Sequence, residues 1–263
     1  MAQYIIIVFV CFGASALGSV CGIGGGVIIK PVLDAVGILP VNMVSFLSGC
    51  TVLSMSLVSV GKNLLSGRGD KFDKKRGTLL ALGAATGGIL GERVYQAVLG
   101  LLPDTQTVGA VQAAALLAVT AGTLWYTLKK EGIRSKHLEG LLPCAVMGTA
   151  LGMMSVFLGI GGGPINLVIL YYFFSMGTKE AAGYSLYIIM FSQLAGLLEK
   201  AVGRQIPQVS VKILVLMILC GVAGGLAGSQ INRKIEEYFV DHLFIGVIVV
   251  IIVINIYNVF KYI

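Results

Sequence analysis

Charged residues are scarce in this chain. Lys, Arg, Asp and Glu together make up 12% of its 263 residues, whereas about 25% is usual in soluble domains. Hydrophobic residues make up 57%, and the mean hydropathy is +0.93. This balance excludes an ordinary soluble domain. It predicts an all-α polytopic membrane protein, a multi-pass protein of the cell membrane whose main surroundings are the lipid bilayer.

Histidine and clustered cysteine, which many metal and catalytic sites need, are scarce as well. The chain has two His and five Cys, and none of the cysteines forms a CxxC pair. All five cysteines lie in apolar runs, which is typical of small buried hydrophobic residues. No GxxxxGK[ST] segment is present, which disfavours ATP hydrolysis. We therefore expect no enzyme activity, no cofactor and no metal site.

The formal net charge of +7 comes mainly from two connections between apolar runs. The first lies within residues 61–76 and the second within residues 128–138. The positive-inside rule predicts that both are cytoplasmic, with residues 131–137 as a basic cytoplasmic linker. A solvated, topology-setting role explains these charges, so we expect no nucleic-acid partner.

Eight apolar runs are mostly long enough to cross the hydrocarbon core, which takes roughly 20 helical residues. They lie near residues 4–20, 42–60, 77–99, 106–127, 139–158, 181–198, 210–228 and 240–259. The first run has no basic residues before it, and we interpret it as a true span and not as a cleaved signal. The prediction is about eight full transmembrane helices.

Two glycine motifs each occur twice at the same spacing. "GIGGG" at 22–26 returns at 159–163, and "GGILG" at 87–91 returns as "GGLAG" at 224–228, in both cases 137 positions later. We interpret this as an internal duplication with a first repeat at 1–130 and a second at 138–263. The GGILG and GGLAG motifs favour close helix packing through small residues. Alanine in place of Gly87 is therefore expected to be tolerated better than leucine in place of Gly25 or Gly162.

The GIGGG motifs interrupt apolar stretches that are too long for one straight span. Tyr4–Val36 has 33 residues, which as one helix would measure about 50 Å, and residues 139–176 show the same excess. Each stretch is predicted to break at its glycines and continue as a short half-helix, Val27–Val36 and Ile165–Phe174. If the half-helices re-enter, eight spans remain and the repeats are parallel. If they cross, there are ten spans and the repeats are inverted.

Paired, glycine-interrupted short segments in two repeats are a pointer to a secondary-transporter binding site. Unwound backbone is tolerated at membrane depth only where protein buries it or a cavity wets it. The start of the following helix offers free N–H groups and a positive dipole end, which favour an anion. Lys30 adds a cation, with three roles open: binding the anion, snorkelling to an interface, or pairing with Asp34.

Several polar side chains near the breaks are candidate hydrogen-bond donors to a small anionic substrate. The predicted substrate site comprises Gly22, Gly24, Gly25, Gly26, Lys30, Ser45, Ser48, Gly159, Gly161, Gly162, Gly163, Asn166, Tyr184 and Ser185. For Glu92 and Arg93, an interfacial or mutually paired role is favoured over proton coupling.

The duplicated GIGGG, the "VIIKPVL" that follows its first copy and the basic loop after the next span resemble the TauE/SafE family of sulfite-exporter-like permeases. This family is also called the toluene-sulfonate uptake permeases, and the resemblance covers essentially the whole chain. The resemblance implies transport of sulfite, sulfonates such as sulfoacetate, and related organosulfur anions. The second repeat departs from the first, because it has Pro164 and Asn166 but no lysine.

The function predicted from the sequence is a secondary transporter of small organosulfur anions. One repeat would rock against the other to give alternating access, and H⁺ or Na⁺ is a candidate coupling ion. A homodimer is a candidate assembly. An anion channel or a non-catalytic membrane component is the alternative, and a membrane-embedded enzyme is a weaker one.

Overall fold

The computed structural model describes residues 2–65, 73–102, 104–136, 138 and 140–262, and these contain helices and no strand. The all-helical class is therefore confirmed for the described residues. The ten α-helices are α1 (Ala2–Cys21), α2 (Gly26–Val36), α3 (Val41–Leu65), α4 (Lys74–Leu101), α5 (Thr105–Lys129), α6 (Leu141–Phe157), α7 (Gly163–Phe174), α8 (Thr178–Val202), α9 (Val211–Lys234) and α10 (Glu237–Tyr262).

All eight apolar runs form helices, and both predicted half-helices appear as α2 and α7. Among the described residues, six helices are long and apolar enough to cross a membrane, namely α1, α3, α5, α8, α9 and α10. The helix α6 is apolar but has 17 residues, a length of about 25 Å. The helix α4 is longer but begins with three basic residues and contains Glu92 and Arg93. Eight full spans therefore remain a prediction.

The glycines of α4 pack directly on the backbone of α6, as expected for small residues between membrane helices. Gly83, Gly87 and Gly91 face the backbone of Ala145, Thr149 and Met153 in that order, so the two helices run parallel. A Cβ at Gly87 would collide with the carbonyl oxygen of Thr149. Alanine there is therefore expected to be costly, because a backbone group cannot swing aside, and its effect relative to leucine at Gly25 stays a prediction.

The helices α1 and α9 pack in the same way. Gly224 faces the carbonyl of Phe12 and Gly228 faces that of Ala16, so these helices are also parallel. The α1–α9 and α4–α6 contacts are the most extensive in the protein. Both join a helix before the linker to a helix after it.

Two other pairs of helices run antiparallel. In α3 and α8, Gly49 lies near Gln193, while Met55 and Val60 cluster with Leu186, which is nearer the start of α8. In α5 and α10, the start of α5 at Gly109 contacts Tyr262 at the end of α10. Helices that hold the same place in the order before and after the linker, α3 and α8 or α5 and α10, therefore point in opposite directions.

The half-helix α2 runs back along α1 instead of continuing it. Gly25 lies against Ser15, and Leu33 packs in the same cluster as Ile7 and Cys11. The helices α1 and α2 thus form a hairpin that begins and ends at the same end of the bundle. The structure combines short half-helices that turn back with opposite directions of the helices before and after the linker, a combination that neither prediction contains, and the number of spans stays a prediction. The whole hairpin, not the half-helix alone, returns to its starting side.

The described parts of the two basic connections lie at one end of the bundle, called here the linker end. Arg233 at the end of α9 donates to the carbonyl of Lys62 at the end of α3, at 2.9 Å. Just beyond α9, Asp241 binds Lys130 at 2.5 Å and Thr178 at 2.9 Å. The ends of α3 and α5 therefore share a side, as the charge pattern predicts. Residues 66–72 of the first connection lie outside the described residues.

Candidate functional site

The two glycine breaks have the same backbone conformation at equivalent positions. Gly24 and Gly161 both have φ of +76°, and Gly22 and Gly159 have +76° and +66°. This left-handed region is costly for residues with a Cβ, so glycine is needed to turn the chain here. The motif thus ends α1 and α6 and starts the half-helices.

The breaks lie against each other, so the starts of α2 and α7 meet. Gly26 packs on the carbonyl of Ile160, and Gly163 lies against Val27. Neither helix has a side-chain N-cap, although the first N–H groups of a helix have no acceptor within it. Two uncapped positive dipole ends therefore converge inside the protein. This arrangement favours negative charge.

A cavity lies beside the second break, toward the end of the bundle opposite the linker end. Water-sized spheres find about 20 Å³ of room in it, enough for about one water molecule, and about 330 Å³ is reached only when the gaps between atoms and the open mouth are counted. Two of the predicted site residues line it, Ser45 and Gly159. The lining is completed by Phe46, Gly49, Glu92, Tyr95, Gln112, Val156, Gln193, Gly196, Leu197 and Lys200.

A buried ion pair stands in the cavity wall. Glu92 of α4 and Lys200 of α8 are 3% and 6% exposed, and Lys200 Nζ lies 3.3 Å from Glu92 Oε2. Gln96 Nε2 donates to the other carboxylate oxygen at 2.6 Å. The Lys200 ammonium also lies 5.1 Å from the centre of the Tyr95 ring, within cation–π range.

Sequence reasoning missed this pair. Arg93, the expected partner of Glu92, is 67% exposed and binds Glu199 at 2.8 Å instead. The spacing along α4 was a signal in the sequence. Gly88 lies one helical turn before Glu92 and two before Tyr95, and in the structure Gly88 packs on α8. Residues at this spacing share a helix face. A carboxylate on that face should have been placed inside the bundle.

The pairing alternative for Lys30 is the one that the structure shows. Lys30 Nζ binds Asp34 Oδ2 at 2.7 Å, one turn along α2, and both side chains are buried. The aliphatic part of Lys30 reaches toward Gly159. Asp34 Oδ1 has no hydrogen-bond partner. The lysine charge is therefore matched locally, and anion binding by Lys30 stays a prediction.

The other predicted polar residues are divided between two places. Asn166 Nδ2 donates to Ser185 Oγ at 3.3 Å, and both side chains are buried. Ser48 is also buried, and its hydroxyl makes no hydrogen bond. Tyr184, by contrast, accepts from the backbone N–H of Asp73 at 2.8 Å, which puts its hydroxyl at the linker end, away from the cavity.

Three buried polar atoms around the cavity make no hydrogen bond of good geometry, although the Ser45 and Tyr95 hydroxyls lie close enough to interact with each other. They are Ser45 Oγ, the Tyr95 hydroxyl and Gln112 Oε1. Leaving a buried polar group unsatisfied costs about 1–3 kcal/mol, so such groups usually find a partner, often water or a ligand. Two of them are hydroxyl donors that an anion can use.

Comparison with known proteins gives one match. The family model described as "Sulfite exporter TauE/SafE" matches residues 7–255. No curated protein and no solved structure matches the chain.

Proposed function

Because this chain belongs to the sulfite exporter TauE/SafE family over residues 7–255, a family of membrane transporters, we propose that it is a secondary transporter of small organosulfur anions. Its substrates are sulfite or sulfonates, with sulfoacetate as an example, and the membrane is the cytoplasmic membrane. The multi-pass character agrees with the six helices that are long and apolar enough to span.

The meeting of the two half-helix starts beside a polar cavity is the observation that carries this proposal. The uncapped starts of α2 and α7 offer N–H groups near Gly159, the residue of the breaks that lines the cavity, and the cavity wall holds the Lys200 ammonium, paired with Glu92. A sulfonate has a compact anionic head with several acceptor oxygens, which suits N–H, hydroxyl and ammonium donors together.

The proposed site keeps the glycines of both breaks and Ser45, and adds Lys200 and Tyr95. Ser48, Asn166 and Ser185 remain proposed members of the buried polar surroundings of the breaks. Tyr184 is not part of the proposed site, because its hydroxyl binds the backbone of Asp73 at the linker end. Lys30 is a proposed member of the surroundings of the site through its approach to Gly159, and not a direct ligand of the anion, because its charge is held by Asp34.

The moving bodies proposed for alternating access are not the two sequence repeats. Rocking one repeat against the other would separate α1 from α9 and α4 from α6, the most extensive contacts in the protein. The proposal assigns one body to α1, α3 and α9, and the other to α4, α6 and α8. If each helix is replaced by the helix five places away in the chain order, the same pairs of helices are in contact: α1–α9 corresponds to α6–α4, and α3–α9 to α8–α4. This correspondence is expected for inverted repeats around a central site.

Uptake by purified protein in liposomes tests the proposed function. Labelled sulfite, methanesulfonate, sulfoacetate and acetate form the panel, with protein-free liposomes as the control. Saturable uptake of the sulfur anions, inhibited by one another and not by acetate, is expected. Non-saturable flux of every anion would favour the channel alternative. Uptake equal to that of protein-free liposomes for all sulfur anions would refute the proposal.

A further inference from the structure

The buried pair of Glu92 and Lys200 suggests how transport is energised, an inference that rests on the proposed function. We propose that Glu92 is the proton-binding group that couples anion transport to a proton. A small monoanion takes the place of the Glu92 carboxylate on Lys200, and Glu92 binds a proton as it gives up that partner.

The contact between Glu92 and Lys200 is a long one for a charged pair. The distance between Lys200 Nζ and Glu92 Oε2 is 3.3 Å, longer than the 2.7–2.9 Å of a strong charge-assisted hydrogen bond. Glu92 has a tighter contact with the neutral amide of Gln96, at 2.6 Å. Lys200 therefore has capacity for another anionic ligand on the cavity side.

Glu92 and Lys200 are the residues with a formal charge among those that line the cavity. Of the cavity-lining residues, those from α3, α5 and α6 carry no formal charge. The other charged or titratable groups around the pair are Tyr95, the Cys50 thiol near Lys200, Arg93 and Glu199, which bind each other, and the buried Lys30–Asp34 pair, whose carboxylate acts on Tyr95 and whose ammonium is held by that carboxylate. None of these supplies a second cation directed at Glu92 inside the cavity.

An anion in the cavity changes the balance of charge around Glu92. With the pair alone, one carboxylate faces one ammonium. With an anion on Lys200, two negative groups would share one positive group in a site of low dielectric constant, and like charges a few ångströms apart repel strongly there. One of them is neutralised by a proton in such sites. A sulfonate does not accept a proton near neutral pH, so Glu92 does.

The proposed step is balanced without a further reactant. The anion and a proton both come from the aqueous phase at the cavity mouth, and no covalent bond except the carboxyl O–H forms or breaks. The site changes from ammonium with carboxylate to ammonium, anion and neutral carboxyl. Its net charge is therefore the same empty and occupied, and co-transport of a monoanion with a proton is electroneutral.

Proton uptake on binding tests the coupling before any transport is measured. Methanesulfonate is the probe, because it has no titrating group near neutral pH. Calorimetry in two buffers of different ionisation enthalpy gives the number of protons taken up, expected to be about one per anion bound by the wild-type protein. The Glu92→Gln variant is expected to bind the anion with no proton uptake. The Glu92→Asp variant keeps a carboxyl group and is expected to take up the proton.

Two further variants distinguish the role of Glu92 from the roles of the charged residues around it. Arg93→Gln removes the neighbouring exposed pair and is expected to leave affinity and proton uptake unchanged. Lys200→Gln is expected to weaken anion binding by about ten- to a hundredfold. In liposomes, an inwardly directed proton gradient should drive accumulation by the wild-type protein. Glu92→Gln should support only anion exchange.

The outcomes distinguish this inference from the proposed function. Anion binding by the wild-type protein without proton uptake would overturn the inference alone. If Glu92→Gln took up as many protons per anion as the wild-type protein, the inference would also be overturned, because the proton would then be bound elsewhere. Absence of binding and of transport for every sulfur anion would overturn the proposed function, and the inference with it.

Discussion

Gly26, at the start of α2, packs against the backbone carbonyl of Ile160 in the other break. A Cβ at position 26 would lie 2.5 Å from that carbonyl oxygen and 2.8 Å from the carbonyl carbon. Both partners are backbone atoms, so neither can move without moving a half-helix. The contact therefore ties the position of one half-helix to that of the other.

Gly26→Ala should impair transport through this contact alone. Gly26 is not among the glycines with positive φ, so the methyl group causes crowding without backbone strain. We expect a loss of about 1–3 kcal/mol of stability, typical of overpacking, and strongly reduced uptake in liposomes. The control is Gly246→Ala, where a Cβ meets nothing within 4 Å. Equal uptake by the two variants would show that the breaks do not need this contact.

Gly87→Ala should be more harmful than Gly100→Ala, although both lie in α4. At Gly87 the new methyl would meet the backbone of Thr149 and Met153, whereas at Gly100 it meets nothing within 4 Å. We expect Gly87→Ala to lower the unfolding free energy by about 1–3 kcal/mol. Gly100→Ala should be neutral or slightly stabilising, because alanine favours helix by about 1 kcal/mol over glycine. Thermal unfolding in detergent measures both, and similar midpoints would contradict the α4–α6 packing.

Single cysteines at Ser135 and Gln208 should be labelled from opposite sides of the membrane. Both positions are exposed; Ser135 belongs to the linker end, and Gln208 lies between α8 and α9 at the other end. In a background without the native cysteines, an impermeant thiol reagent outside intact cells should label Gln208→Cys and not Ser135→Cys. Labelling of both from one side would rule out the inverted arrangement.

Lys30→Gln should mainly affect stability, because it leaves Asp34 buried without its partner. Breaking a buried pair costs about 3–5 kcal/mol, so the unfolding temperature should fall clearly. The double variant Lys30→Gln with Asp34→Asn should recover most of that loss and bind methanesulfonate within about twofold of wild type. If the double variant is stable but binds ten- to a hundredfold more weakly, Lys30 itself contacts the anion.

The parts of the fold that depend on neighbouring residues were accessible from the sequence. Apolar runs gave the helices, and consecutive glycines gave the breaks, because both are local properties of the chain. The Lys30–Asp34 pair was among the alternatives, since residues four apart on a helix are neighbours. The same reasoning identified the glycine faces of α4 and α9 but could not name the backbone atoms they meet.

The cavity could not be predicted because it depends on contacts between distant segments. Glu92 and Lys200 are brought together by the packing of α4 on α8, and no pattern within either helix names the other partner. The topology was missed for a different reason. The predicted topologies treat the half-helix as the unit that re-enters, whereas α1 and α2 return together, and this changes the orientation of the helices that follow.

The exchange of helix partners across the linker also constrains biosynthesis. When the ribosome has completed α5, neither α6, on which the glycine face of α4 packs, nor α9, which packs on α1, has been synthesised. The first five helices thus enter the bilayer with their small-residue surfaces uncovered, and the polypeptide closes on itself only after α9 has emerged. Two fragments divided at the linker should be degraded when made separately and recovered as a complex when made in the same cell.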